Sequence, residues 1–144
     1  MNSVGEVVRN RAPFRISEDM TVLQAARYMT GRKVGAVCVV SGERLAGIVS
    51  ERDIMSKVIT RELNPQTTRV SEIMTREVVI AEANEDLEAC LERMRQRDIR
   101  HLPVVENQKL LGMVTMRDLL VQKVDEKDFE VKMMTTYIYS HPAE

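Results

Sequence analysis

Apolar positions in this chain switch between two spacings. Val22, Ala26 and Met29 stand three and four residues apart behind the polar run Ser17-Glu18-Asp19, which marks one face of a helix. Gly31 is expected to close that helix. Val34 to Val40 is then an almost unbroken, β-branched run, as a buried strand requires. Ser41-Gly42-Glu43-Arg44 supplies a turn and Leu45 to Val49 a returning strand, so the pair predicts a hairpin. Ile54, Met55, Val58 and Ile59 continue as a helix that begins near Ser50. With Arg15-Ile16 in front, the order is strand, helix, strand, strand, helix.

The same order then returns. Leu87, Leu91 and Met94 mark a helix, and Ile99 to Val105 and Leu110 to Val114 a hairpin around Glu106-Asn107-Gln108-Lys109. Leu119, Leu120 and Val124 lie on a closing helix. The run Gly47-Ile48-Val49-Ser50-Glu51-Arg52-Asp53 reappears in pattern as Gly112-Met113-Val114-Thr115-Met116-Arg117-Asp118, an offset of 112 − 47 = 65. Met29 and Met94, Arg32 and Arg97, Val39-Val40 and Val104-Val105, and Leu45 and Leu110 keep that offset. The chain is two copies of one small unit, residues 1–62 and 63–124, followed by a tail at 125–144. Thr60 to Arg69 is polar, contains Asn64-Pro65 and reads as the linker. Phe129, Met133 and Tyr137 fall four apart in the tail, predicting one more amphipathic helix that packs on this chain or docks a client through Phe129 to Tyr139.

Size changes this picture in one respect. A unit of this length buries only about 60% of its unfolded surface, so the copies are expected to share a core. The charge is balanced, at net −1 over 144 residues, which argues against nucleic acid or an anionic membrane as partner. No apolar run approaches the roughly 18 residues of a membrane span. Glu6 and Arg9 interrupt Val4, Val7 and Val8, leaving no secretory apolar region, so a cytoplasmic location is expected. Cys38 and Cys90 are not equivalent in the repeat and read as small buried hydrophobes. Ten Met and no Trp predict an adaptable aliphatic core. Arg93 and Arg97 are interleaved with Glu85, Glu88 and Glu92, a solvated helix face rather than a nucleic-acid surface. No Ser-His-Asp or Cys-His arrangement, phosphate-loop motif or metal spacing stands in the sequence, and His141 beside Pro142 carries no signal. No catalytic residue, no metal and no enzyme is expected.

Ser50-x-x-Asp53 and Thr115-x-x-Asp118 have a structural explanation: a hydroxyl at a helix start with an acid three residues on is close to a capping box. They also have a functional one. A glycine inside the preceding strand marks close approach of another backbone or a ligand. A helix N-terminus with a hydroxyl suits an anion, and a carboxylate one turn in can accept both hydrogen bonds of a vicinal diol. Glycine, hydroxyl and carboxylate together suit a ribose phosphate. A cap needs no arginine, yet Arg52 and Arg117 precede both aspartates.

At this point the chain resembles a tandem pair of CBS domains, the Bateman module. The resemblance rests on both glycine-to-aspartate runs, on Ile99-Arg100-His101-Leu102-Pro103-Val104-Val105 and on Val70-Ser71-Glu72-Ile73-Met74-Thr75, and it covers about Val4 to Lys123. It implies an α/β (α+β) fold of two β-α-β-β-α units packed as a pseudo-twofold pair, with a C-terminal helix, resembling free-standing CBS-pair proteins. It further implies a non-enzymatic sensor that binds an adenosine-containing ligand (AMP, ADP, ATP, NAD or S-adenosylmethionine), forms a homodimer and signals to an unidentified regulated protein. The clefts of such modules are crossed. Asp118 and Thr115 would therefore face Phe14, Val34 and Gly35, with Met113 against the base; Arg117 belongs to the same set. Asp53 and Ser50 would face Val79, Ile99 and Arg100, with Ile48 against the base and Arg52 beside them. Arg100 and His101 hold positions that carry phosphate-binding basic residues in adenylate-sensing relatives. The first copy has Gly35-Ala36 there, so the clefts are expected to be unequal, with the Asp118 cleft binding more tightly. The alternative is a ligand-independent dimerisation module whose clefts are vestigial.

Overall fold

The repeat persists as geometry in the computed structural model, which describes residues 3–11 and 14–140, without the side chains of Glu126, Phe129 and 137–140. A short helix α1 (Val4–Val8) leads into β1 (Arg15–Ser17), α2 (Val22–Arg32), β2 (Ala36–Ser41) and β3 (Arg44–Ser50). Helix α3 (Glu51–Ile54) then widens into a π turn over Met55–Ile59. Helix α4 (Val70–Ile73), β4 (Ala81–Glu82), α5 (Leu87–Arg97), β5 (His101–Glu106), β6 (Lys109–Thr115) and α6 (Met116–Ser140) complete the chain.

Local chemistry sets these limits. Thr21 and Gln24 cap the start of α2 reciprocally, at 3.2 and 2.9 Å. Gly31 does not close the helix. It lies in the last turn with open space where a Cβ would stand, and Lys33 takes the left-handed conformation at φ 56°. Asp98 ends α5 in the same way at φ 52°. The two hairpins pair in equivalent register, Val39 opposite Gly47 and Val104 opposite Gly112, and each shifts register at the next residue, Val40 and Val105. Even the bulge is duplicated.

The strands run in the order β1-β2-β3-β6-β5-β4, symmetric about a centre where only Arg44 and Lys109 are paired. Hydrophobic burial does not follow chain order. Val4, Val7 and Val8 of α1 belong to the core of the second copy, with Met94, Leu102 and Val114. Val70, Ile73 and Met74 belong to the core of the first, with Met29, Val37 and Val49. The copies thus exchange their leading helices. Cys38, Val40 and Leu110, packed by Leu45 and Met113, form the smaller core they share. Both cysteines are fully buried, as expected, and burial pushes the Cys38 thiol up to about 12 and the Cys90 thiol to about 11. Neither is a nucleophile at neutral pH.

The linker is held rather than loose. Thr68 and Pro65 carbonyls accept from Val22 and Leu23 N–H at 2.8 and 2.9 Å, satisfying free donors at the start of α2. Arg93 clasps Glu85 and donates to the Ile80 carbonyl at 2.8 Å, which makes it an internal tie within the second copy. The tail differs from expectation. It forms no separate helix but prolongs α6 without a break, because no glycine or proline interrupts residues 119–140. Val131, Met133 and Met134 stand exposed on this extension. The side chains of Phe129, Tyr137 and Tyr139, and His141 as a whole, lie outside the described residues. Among those described, no helix is long and apolar enough to cross a membrane.

Candidate functional site

Both glycine-to-aspartate runs fold as capping boxes. Ser50 N–H donates to Asp53 Oδ2 at 2.9 Å, and Asp53 N–H to Ser50 Oγ at 3.1 Å. Thr115 N–H donates to Asp118 Oδ2 at 2.8 Å, and Asp118 N–H to Thr115 Oγ1 at 3.0 Å. Aspartate closes both boxes although it is one methylene shorter than the glutamate usual at that position. The glycines answer to the exchanged helices: a Cβ at Gly47 would lie 2.7 Å from the Thr75 carbonyl oxygen, and one at Gly112 would lie 3.0 Å from Val8 Cβ. The close approach is another piece of this chain. The motif therefore builds a corner, and its surroundings decide whether a cleft opens there.

Around Asp118 a cavity of about 360 Å³ opens between the copies. Phe14, Val34, Gly35 and Ala36 of the first copy line it, with Met113, Thr115 and Asp118 of the second. His101 joins them from the start of β5, and Lys33, Val8, Arg11 and Gly112 complete the wall. The Asp118 side chain is 24% exposed, and its Oδ2 accepts from Arg11 Nη1 at 2.8 Å. Burial raises its proton affinity, but Arg11 and the Thr115 N–H outweigh it and hold the carboxyl below the usual range. Burial, and then the Arg100 charge, push His101 below its ordinary value against the pull of Asp118 and Glu51. The ring is neutral at pH 7. The floor is soft and apolar, with Cys38 Sγ 3.7 Å from Met113 Sδ beneath it. Such a volume, mostly apolar with a few convergent polar groups, suits a small organic ligand.

Around Asp53 the same corner is filled. The carboxylate is 13% exposed, and its Oδ1 holds Lys57 Nζ at 3.1 Å and Thr75 Oγ1 at 3.5 Å. Lys57 also donates to the Ile73 carbonyl at 3.1 Å. Ile48 and Thr75 exchange backbone hydrogen bonds of 3.0 and 2.9 Å, so the segment after α4 lies against the residue expected to face a base. Lys57 sits in the π turn, where Thr60 N–H reaches back to Met55 O.

The residues anticipated from sequence are thus placed unequally. Phe14, Val34, Gly35, Met113, Thr115 and Asp118 share one cleft with His101. Ile48, Ser50 and Asp53 share a corner, while Val79 and Ile99 pack on the second core. Arg52 is exposed, with its carbonyl accepting from Ser56 Oγ. Arg100 and Arg117 do not line the Asp118 cleft. They edge a different, larger groove of about 620 Å³ along α6, with Leu120, Val121 and Val124 on its floor and His101 and Thr115 common to both cavities. Size alone favours that groove, but it lies along an exposed helix face and its carboxylate is Asp125, outside the repeated motif, rather than Asp118. Sequence reasoning missed Arg11, Lys33 and Lys57, none of which belongs to the repeated motif. Among the described residues no cluster of three His, Cys, Asp or Glu side chains could hold a metal ion.

Comparison with known proteins agrees with this architecture. A family model described as the CBS domain matches twice, at residues 4–60 and 70–124. A mitochondrial CBS domain-containing protein of Arabidopsis thaliana, CBSX3, is 36% identical over 126 residues, covering 83% of this chain and 61% of its own length. The chain therefore spans about three-fifths of that relative. The CBS domain-containing protein YhcV of Bacillus subtilis is 33% identical over 127 residues, covering 88% and 89%. The structure of a CBS domain protein of Pyrobaculum aerophilum, PAE2072, complexed with AMP, superposes with a TM-score of 0.72 at 25% identity, over 81% of this chain and 88% of that one.

Proposed function

This chain belongs to the CBS-domain family, and we propose that it is a non-enzymatic sensor that takes an adenosine-containing nucleotide of the AMP, ATP or NAD type into the Asp118 cleft. The observation that carries the reading is the crossed cavity, which sets the apolar wall of one copy against the hydroxyl, carboxylate and imidazole of the other. AMP in the Pyrobaculum relative supports the ligand class. Because the ligand would touch both copies, its binding would bias their packing. That bias would pass to a partner protein or to an interface between two copies of the chain. Met55, Ile59, Leu120, Val121 and Val124, exposed on α6 and the π turn, supply apolar surface for such an interface.

A ligand that binds only the folded chain stabilises it by about 2.7 kcal/mol at one hundred times its dissociation constant. Thermal unfolding in the presence of AMP, ATP, NAD and S-adenosylmethionine tests the proposal, with at least one adenine nucleotide expected to raise the midpoint. A midpoint unmoved by all four favours the alternative, an interaction module with vestigial clefts. One observation favours that alternative for the first copy alone, since Lys57 and Thr75 already occupy Asp53.

A further inference from the structure

We propose that Arg11 selects phosphorylated ligands in the Asp118 cleft, by releasing the carboxylate only when a ligand phosphate takes the guanidinium in exchange. The inference rests on the reading of this cleft as a nucleotide site and assigns to it a discriminating residue. Arg11 Nη1 lies 2.8 Å from Asp118 Oδ2, the oxygen that also accepts the Thr115 N–H at 2.8 Å. A ribose diol approaching that carboxylate meets a charge-assisted bond already in place. Two neutral hydroxyl donors are a poor replacement for it unless the guanidinium finds another anion. A 5′-phosphate supplies that anion, and its oxygens match the planar fork of arginine in a two-pronged bond.

The surroundings point the same way. Of the described residues lining the cavity, Arg11 and Lys33 are cationic and Asp118 alone is anionic. Once a diol holds Asp118, two cations remain for the rest of the ligand. Adenosine offers them nothing, and a sulfonium ligand brings a third positive charge to the same space. The Arg11 side chain is 43% exposed and comes from the segment after α1, so it can swing from carboxylate to phosphate without disturbing either core.

Calorimetric titration of AMP and of adenosine into the wild-type protein, Arg11→Gln and Arg11→Lys tests this, with thermal unfolding as a check that each variant is folded. Wild type is expected to prefer AMP over adenosine. Arg11→Gln is expected to weaken AMP by about tenfold and to leave adenosine unchanged or tighter, so that the preference collapses. Arg11→Lys keeps the charge and should retain most of it. An Arg11→Gln variant that loses both ligands by the same factor, or neither, overturns the role of Arg11 while leaving the cleft a nucleotide site. Wild-type protein that binds neither ligand overturns this inference, and if ATP, NAD and S-adenosylmethionine also leave thermal unfolding unmoved, the reading of the cleft falls with it.

Discussion

Asp53 and Asp118 occupy one position of a duplicated unit and close the same capping box, yet among the described residues Asp118 lines a cavity between the copies while Asp53 is held by Lys57 and Thr75. The two backbone-to-side-chain bonds that close each box agree to within 0.1 Å, and Ser50 Oγ adds a bond of 3.1 Å to Asp53 Oδ2, so most of the difference lies outside the motif. It lies in what the rest of the chain sends to each corner. Lys57 and Thr75 go to the first, filling it with an internal cation and a hydroxyl from the segment after α4. Arg11 goes to the second and leaves about 360 Å³ beside it. A duplicated signature thus specifies a duplicated helix start, and neighbours outside the motif decide which copy keeps room for a ligand.

The strongest way to break this arrangement is through the glycines. Gly47→Ala sets a Cβ 2.7 Å from a backbone oxygen, whereas Gly112→Ala meets only the Val8 side chain at 3.0 Å. Gly47→Ala is expected to cost about 2 kcal/mol in urea unfolding, at the middle of the overpacking range, and Gly112→Ala distinctly less. The same substitution should therefore separate the copies. A subtler change sharpens the comparison. Lys57→Gln gives the first copy the residue that the second carries at Gln122. It should cost about 1 kcal/mol or less, as partly exposed pairs do, while titration of AMP should gain a second, weaker event. A stoichiometry that stays at one per chain would mean that the segment at Thr75, rather than Lys57, closes the first cleft.

The smallest effect concerns pH. The folded state holds His101 below its ordinary value, so the unfolded chain takes up its proton first and this residue's contribution to stability declines as pH falls through about 6.5. A phosphate in the adjoining cleft reverses the sign for binding, because it favours the protonated ring. AMP affinity should rise as pH falls from 7.5 to 6.0, with proton uptake visible in calorimetry in buffers of different ionisation heat. His101→Gln should flatten that slope. An unchanged slope in that variant would show that the phosphate does not approach the imidazole.

Much of this molecule was legible in its sequence because the signals are local and doubled. The apolar runs at Val37 to Val40 and Leu102 to Val105 make their hairpins, and the offset of 65 relates their registers. Helix limits were less legible. Gly31 looked like a stop, but Met29 and Thr30 carbonyls reach Lys33 N–H, and that residue supplies the turn. Helix α1 was missed because five residues give almost no periodicity. Its counterpart was in view, since Val4-x-x-Val7-Val8 matches Val70-x-x-Ile73-Met74. The resemblance to a known family brought six cleft residues together, whereas Arg11 and Lys57 escaped notice because long side chains act where they reach.

The inequality of the two corners is tested most directly by titrating AMP into wild-type protein, Asp53→Ala and Asp118→Ala under one set of conditions. Loss of a charged acceptor should weaken binding at Asp118→Ala by at least about tenfold, whereas Asp53→Ala should stay within about threefold of wild type. Equal losses in the two variants would contradict it.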